Sequence, residues 1–122
     1  MANDFKRFTV ASVNTSTGAS ASAVYTVPAG AGSTALESII IGITLSNKTA
    51  SGVTASVFLD NFSGSNDVNI VKDATIPAGS SLEVMSGNKL VVQNSGSAGD
   101  IIRVSSNTAT AIDATISVLE DV

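Results

Sequence analysis

The segment AIDATISVLE at Ala111–Glu120 decides the fold class. Its apolar side chains recur at every second residue: Ile112, Ala114, Ile116 and Val118. Successive side chains of a β-strand point to opposite sides, so period two is typical of a strand with one buried face. An amphipathic helix would repeat near every 3.6 residues instead. We therefore predict a half-buried strand with these four side chains in the core.

Two earlier segments show the same alternation. In IIIGITLS at Ile39–Ser46, the predicted core face holds Ile39, Ile41, Ile43 and Leu45, with Ile40 as the exception. In VTASVFLD at Val53–Asp60, the predicted core face holds Val53, Ala55, Val57 and Leu59. Both segments predict strands, and Phe58 falls on the otherwise polar face of the second.

Shorter candidate strands lie between turn-forming clusters of Gly, Ser, Asn and Asp. These are Phe5–Val13, Ala21–Val27, Asp67–Lys72, Ser80–Met85, Lys89–Gln93 and Asp100–Ser106. About eight short strands at this spacing favour an all-β protein, an antiparallel β-sandwich of jelly-roll type. The chain of 122 residues has the size of one domain. We assign residues 21–122 to a single sandwich.

Residues 1–20 are predicted to form an N-terminal arm followed by a flexible connection. The arm is Met1–Val13, and our hypothesis is that it pairs with a neighbouring subunit. Asn14–Ala21 contains small polar residues without apolar periodicity, so it reads as the connection.

The two prolines of the chain lie in similar pentapeptides, TVPAG at Thr26–Gly30 and TIPAG at Thr75–Gly79. Proline fixes φ near about −65° at the second position of a turn, and glycine accepts a positive φ. Proline also lacks an N–H for a strand ladder. The pairs Pro28 with Gly30 and Pro77 with Gly79 are therefore predicted to form turns at strand ends.

Composition excludes several classes of function. The net charge is −4, and the one adjacent basic pair is Lys6–Arg7, which argues against nucleic-acid binding. The chain has no His and no Cys, so histidine-based triads, cysteine nucleophiles and histidine metal sites are excluded. SIIIGITL is too short to span a bilayer, and the first residues lack a secretory signal. We expect a soluble, unprocessed protein without enzymatic activity, cofactor or membrane contact.

Three short motifs match functional patterns only formally. GAGSTA at Gly30–Ala35 fits the dinucleotide fingerprint but precedes a strand-like segment rather than a helix. SGNK at Ser86–Lys89 fits the serine–lysine pattern, but a hairpin turn is the better interpretation. DNFSGSND at Asp60–Asp67 is rich in oxygen ligands, yet it fails the EF-hand pattern. We predict no metal site, although Asp60, Asp67, Asp73 and Asp100 could in principle converge in a cleft.

The few aromatic side chains are candidates for subunit contacts. They are Phe5, Phe8, Phe58 and Phe62, and Phe58 is the best single candidate because of its position on a polar face. A glycan-binding module would need grouped exposed rings or a calcium-clamped loop, and the sequence offers little of either.

The ordered set of strands and turns resembles a family of small virion structural proteins of tailed bacteriophages, especially phages of marine bacteria. The stretches that carry the resemblance are NDFKRFT (Asn3–Thr9), YTVPAG (Tyr25–Gly30), IIIGITLSNKT (Ile39–Thr49), VTASVFL (Val53–Leu59), IVKDATIPAGSSLEV (Ile70–Val84), KLVVQ (Lys89–Gln93), GDIIRVSS (Gly99–Ser106) and IDATISVLE (Ile112–Glu120). NSGSAGD at Asn94–Asp100 is longer and more polar than the family pattern.

The resemblance implies a non-enzymatic β-sandwich present in many copies on the outer surface of a particle assembled in the host cytoplasm. Capsid decoration is the leading hypothesis, with the major capsid protein as partner and a homo-oligomer as the acting form. A neck, tail, fibre or baseplate accessory is the alternative within this class. A glycan-binding β-sandwich module is the alternative from another class.

Overall fold

The computed structural model describes residues 3–62, 67–85 and 89–121, which form nine strands and a 3₁₀ turn at Gly18–Ser20. The strands are β1 (Asn3–Val10), β2 (Ser22–Thr26), β3 (Leu36–Asn47), β4 (Val53–Asp60), β5 (Asp67–Ile76), β6 (Ser81–Glu83), β7 (Leu90–Asn94), β8 (Ile101–Ser106) and β9 (Ile112–Asp121). Every predicted strand is present. The bounds differ by a few residues at most, and the largest extension is that of β5 beyond Lys72 to Ile76.

The strands form two antiparallel sheets packed face to face. One sheet has the order β1-β9-β3, with β6 and β7 along the other side of β3, and the second has the order β2-β8-β4-β5. Pairing is nested: β1 with β9, β2 with β8, β3 with β6 and β7, and β4 with β5. A long hairpin rolled into two sheets has this pairing, which confirms the predicted jelly-roll sandwich. β6 and β7 occupy the same position in the sheet, beside β3, so the described strands number nine rather than about eight.

The core lies between the sheets, and β9 supplies the four side chains that its alternation predicts. Ile112, Ala114, Ile116 and Val118 are all buried.

The core face of β3 was predicted only in part. Ile40, Ile43 and Leu45 are fully buried, whereas Ile39 is partly exposed and Ile41 lies outside the core. The pairing of β3 with β9 shifts register between Ile40 and Gly42, which marks a β-bulge. One extra residue reverses the alternation. Ile40, the apparent exception, is therefore a core residue, and the assignment of Ile39 and Ile41 to the core face was wrong.

The N-terminal segment belongs to the chain's own sandwich. β1 pairs with β9 along its whole length, from Asn3 opposite Asp121 to Val10 opposite Ala114. Val13 is fully buried in the core. Within one chain β1 pairs with its own sheet, which counts against the hypothesis that the arm pairs with a neighbouring subunit.

The two proline pentapeptides both follow strand ends, but their turns differ from the expected form. The Ser80 amide donates to the Pro77 carbonyl oxygen at 3.1 Å, and Gly79 has φ of +66°. Pro77 is thus the first residue of its turn, not the second.

The first pentapeptide leads into a turn rather than forming one. Gly30 pairs with Thr34 around a turn at residues 31–33, so Pro28 precedes it. A Cβ at Gly30 would lie 2.6 Å from Thr34 Oγ1, so a larger residue there would displace the Thr34 side chain. GAGSTA therefore lies in a turn and leads into β3, which confirms the prediction that a strand and not a helix follows it.

Candidate functional site

The outer face of the β2-β8-β4-β5 sheet carries a groove of about 330 Å³. Its floor contains Ser56 and Phe58 of β4 and Ser105 of β8. β5 lines one side with Asp67, Asn69, Lys72 and Asp73, and the segment before β2 lines the other with Thr15, Thr17 and Gly18. Three separate parts of the chain thus meet around one polar groove.

The segment 14–20, here called the strap, is fixed to the body by hydrogen bonds. The Asn14 amide nitrogen donates to Ser22 Oγ at 2.9 Å, and its side-chain Nδ2 donates to the Ser20 carbonyl oxygen at 2.9 Å. The Ser106 amide of β8 donates to the Asn14 carbonyl oxygen at 3.1 Å. These bonds hold Thr15 and Thr17 beside the groove, so the predicted connection is a structured wall.

A β-bulge shapes the β5 side of the groove. The pairing of β4 with β5 shifts register between Ala55 and Val57. Asp73 has φ of +51°, a left-handed conformation that Asp tolerates better than most residues. The Asp73 amide donates to Ser56 Oγ at 2.9 Å, and Ser56 Oγ donates to Asp73 Oδ1 at 3.3 Å. This reciprocal pair holds the bulge in place and keeps the second carboxylate oxygen at the groove.

Several polar groups along the groove are free to bind a ligand. The side chains of Asp67, Asn69 and Ser105 make no hydrogen bond to any residue that the structure describes. Lys72 is the one cation among the residues of the groove, and its Nζ lies 3.4 Å from Asp73 Oδ2. With two carboxylates and one ammonium group, the lining carries a net charge of −1.

The four carboxylates singled out from the sequence do not meet at one point. Asp60 accepts from Arg103 Nε at 2.8 Å. Asp100 is buried and accepts from the backbone amides of Phe62 and Gln93. Asp67 and Asp73 share the groove. Across residues 3–62, 67–85 and 89–121, no group of three or more Asp and Glu side chains could hold a metal ion.

Two motif predictions concern segments that include residues the structure does not describe. The oxygen-rich loop Asp60–Asp67 includes residues 63–66, and SGNK includes residues 86–88. Their calcium and hairpin interpretations therefore stay predictions.

The four phenylalanines lie in different surroundings. Phe5 is 78% exposed on β1, and Phe62 is partly buried after β4. Phe8 packs against Tyr25 with ring centroids 4.8 Å apart. Phe58 does lie on the outer face, but it is only 5% exposed, which argues against it as the main subunit contact. The interface roles of these residues stay predictions, and Phe5 has the largest exposed fraction.

A buried polar cluster that the sequence analysis missed connects the two sheets. Tyr25 of β2 donates its hydroxyl proton to Glu120 Oε2 at 2.7 Å, and Ser38 Oγ lies 2.9 Å from the same hydroxyl. Lys6 Nζ lies 2.9 Å from Glu120 Oε1. Glu120 is 2% exposed. The alternation of β9 continues inward from Val118 to Glu120, and this parity was the signal for a buried carboxylate.

This geometry shifts the pKa of two side chains in the cluster. Burial of the Tyr25 hydroxyl, with the Glu120 carboxylate as its acceptor, raises the pKa of Tyr25 far above its ordinary value of 10.0. The hydrogen bond to Glu120 and its charge raise the pKa of Lys6. None of these four residues lines the groove, so we interpret the cluster as structural.

No protein-family model, curated protein or solved structure matches the chain. Among the described residues, no helix is long and apolar enough to cross a membrane.

Proposed function

We propose that the chain is a non-enzymatic structural protein of a tailed-bacteriophage virion, which decorates the capsid as a homo-oligomer bound to the major capsid protein. The observation that carries this proposal is the location of three of the four large apolar side chains that are exposed among the described residues; the fourth, Ile41, lies on the central strand β3. Phe5, Val68 and Val91 are 78%, 52% and 56% exposed. They lie on β1, β5 and β7, which are edge strands of their sheets.

Open edges of this kind are suited to contacts with other subunits. An edge strand offers unpaired backbone N–H and C=O groups, and exposed apolar side chains on it promote association. β5 is ten residues long and pairs only with β4 among the described strands. Neighbouring copies or capsid subunits that cover these edges would bury both the apolar side chains and the backbone groups. A structural protein present in many copies on a shell provides such neighbours.

Chemistry and charge support the same proposal. Without His or Cys, the chain lacks the residues of the commonest nucleophilic and metal-dependent sites. A net charge of −4 suits an outer surface away from packaged DNA. The ordered resemblance of the strands and turns to phage virion proteins supports a structural role on the particle, and it is compatible with head, neck, tail and fibre positions.

Copy number in purified particles tests this proposal. A decoration protein should be present in hundreds of copies that track the major capsid protein, and it should bind emptied, expanded heads. A copy number of about six or twelve would instead favour the neck, tail or fibre alternative. Absence from purified particles would overturn both.

A further inference from the structure

We propose that the groove on the β2-β8-β4-β5 sheet binds a neutral saccharide unit through hydrogen bonds. This inference goes beyond the structural role and does not depend on it. The volume of about 330 Å³ lies at the lower end of the range of small-molecule sites, roughly 300–1,000 Å³. The groove therefore suits a short glycan segment rather than a large cofactor.

The polar groups match the chemistry of vicinal hydroxyls. A sugar hydroxyl is both donor and acceptor, and it needs partners of both kinds close together. The carboxylates of Asp67 and Asp73 accept hydrogen bonds, the Asn69 amide donates and accepts, and the hydroxyl of Ser105 does either. Asp67, Asn69 and Ser105 make no competing bond to another described residue, so their capacity is free for a ligand.

The walls are held in place before any ligand arrives. Asp73 is fixed by its reciprocal bonds to Ser56, and the strap is fixed through Asn14. Bulges and left-handed non-glycine residues are concentrated beside binding sites, where they orient side chains. A preformed site loses less conformational entropy on binding. Strand pairing alone does not require the left-handed conformation of Asp73. Orientation of its side chain in a binding site gives a reason for it.

The charge of the groove selects among polar ligands. Lys72 is the one cation, and it already lies beside Asp73. Phosphate, sulfate and carboxylate groups would face two aspartates with little compensation. Neutral hexose and N-acetylhexosamine units meet no such repulsion. Phe58 is only 5% exposed, so this groove lacks the exposed rings expected of a glycan-binding module, and the proposal instead assigns its specificity to hydrogen bonds from the polar lining.

The test uses the full chain and a panel of immobilised neutral di- to tetrasaccharides built from glucose, galactose, mannose and N-acetylglucosamine, beside matched sialylated sugars. Two groove variants, Asp67→Asn and Asn69→Ala, are compared with Gln93→Ala, which changes an exposed polar side chain on the other sheet. Thermal melting establishes that each variant is folded.

We expect at least one neutral sugar to bind and each groove variant to weaken that binding about tenfold, as expected for a lost hydrogen bond to a polar or charged partner. Gln93→Ala should bind like the unchanged protein. Lack of binding to every neutral sugar, stronger binding of sialylated sugars, or full binding by both folded groove variants would overturn the proposal. Particle incorporation of the same variants is a separate readout, because it reports on the structural role alone.

Discussion

Tyr25 and Glu120 show how one side chain can tie two sheets together. A carboxylate that is 2% exposed would be costly without partners, and here it has the Tyr25 hydroxyl at 2.7 Å and the Lys6 ammonium at 2.9 Å. The three residues belong to β2, β9 and β1, so the cluster joins the edge strand of one sheet to the edge strand of the other. The parity of β9 predicts the inward position of Glu120. Its partners lie far away in sequence, and no local pattern identifies them.

Replacement of Tyr25 by Phe tests the value of that hydroxyl. Tyr25→Phe keeps the ring that packs on Phe8 but removes the donor to a buried carboxylate. We expect the free energy of unfolding to fall by about 1.5–3 kcal/mol, the usual value for a hydrogen bond to a charged group. Urea unfolding with an unchanged m-value measures it. A matched variant, Phe5→Tyr, changes an exposed ring in the opposite chemical sense and should leave stability nearly unchanged.

Stability should also decline at alkaline pH because of this tyrosine. The folded-state pKa of Tyr25 lies above its unfolded value of 10.0, so the stabilising contribution is complete below that pH. As the pH rises beyond it, the unfolded chain loses a proton that the folded chain keeps. The free energy of unfolding then falls by up to about 1.4 kcal/mol per pH unit. Tyr25 is the one tyrosine of the chain, so phenolate absorbance reports its ionisation directly. Ionisation of the folded protein at pH 10.0 would contradict this prediction.

Strands were more predictable than the way they bend. Period-two alternation located β4 and β9 almost to the residue, although Ser56 and Phe58 on the outer face of β4 are buried as well. The alternation in β3 is interrupted by the bulge beside Ile41, and three consecutive isoleucines give no sign of which one is the extra residue. The local sequence does not predict the bulge in β5 either. It depends on a register with β4 that is set by tertiary packing, not by the local sequence.

The bulge in β5 can be tested with two opposed serines. Ser56 of β4 and Ser105 of β8 are paired neighbours with similar burial, yet only Ser56 bonds to Asp73. Ser56→Ala leaves the Asp73 amide and carboxylate without this partner, and we expect a loss of about 1–2 kcal/mol of unfolding free energy. Ser105→Ala should cost about 0.5 kcal/mol or less. Equal losses in the two variants, measured by chemical denaturation, would show that the reciprocal bonds do not stabilise the bulge.

At the scale of the whole molecule, the sandwich could be predicted but the groove could not. Of the four carboxylates that the sequence offers as a converging set, only Asp67 and Asp73 share the groove. The strap was expected to be a flexible connection, because its small polar residues lack a periodic pattern. Its role as a wall depends on Asn14 meeting Ser22 and Ser106, which only the closed fold brings together. Contacts of this kind, which depend on the closed fold, cannot be recognised in a single sequence.

The open edge strands of the two sheets predict assembly with neighbouring copies. Phe5 is 78% exposed on β1, so Phe5→Ser removes apolar surface without opening a core cavity. If β1 contacts a neighbouring copy, the dissociation constant of the oligomer should rise at least about tenfold, since a buried aromatic contact contributes more than 1.4 kcal/mol. Sedimentation velocity across a concentration series measures it. Ile41→Ser is the matched control, because Ile41 is exposed on the central strand β3 and not at an edge. The same loss in both variants would point to general surface hydrophobicity, and an unchanged oligomer after Phe5→Ser would exclude the β1 edge as the contact.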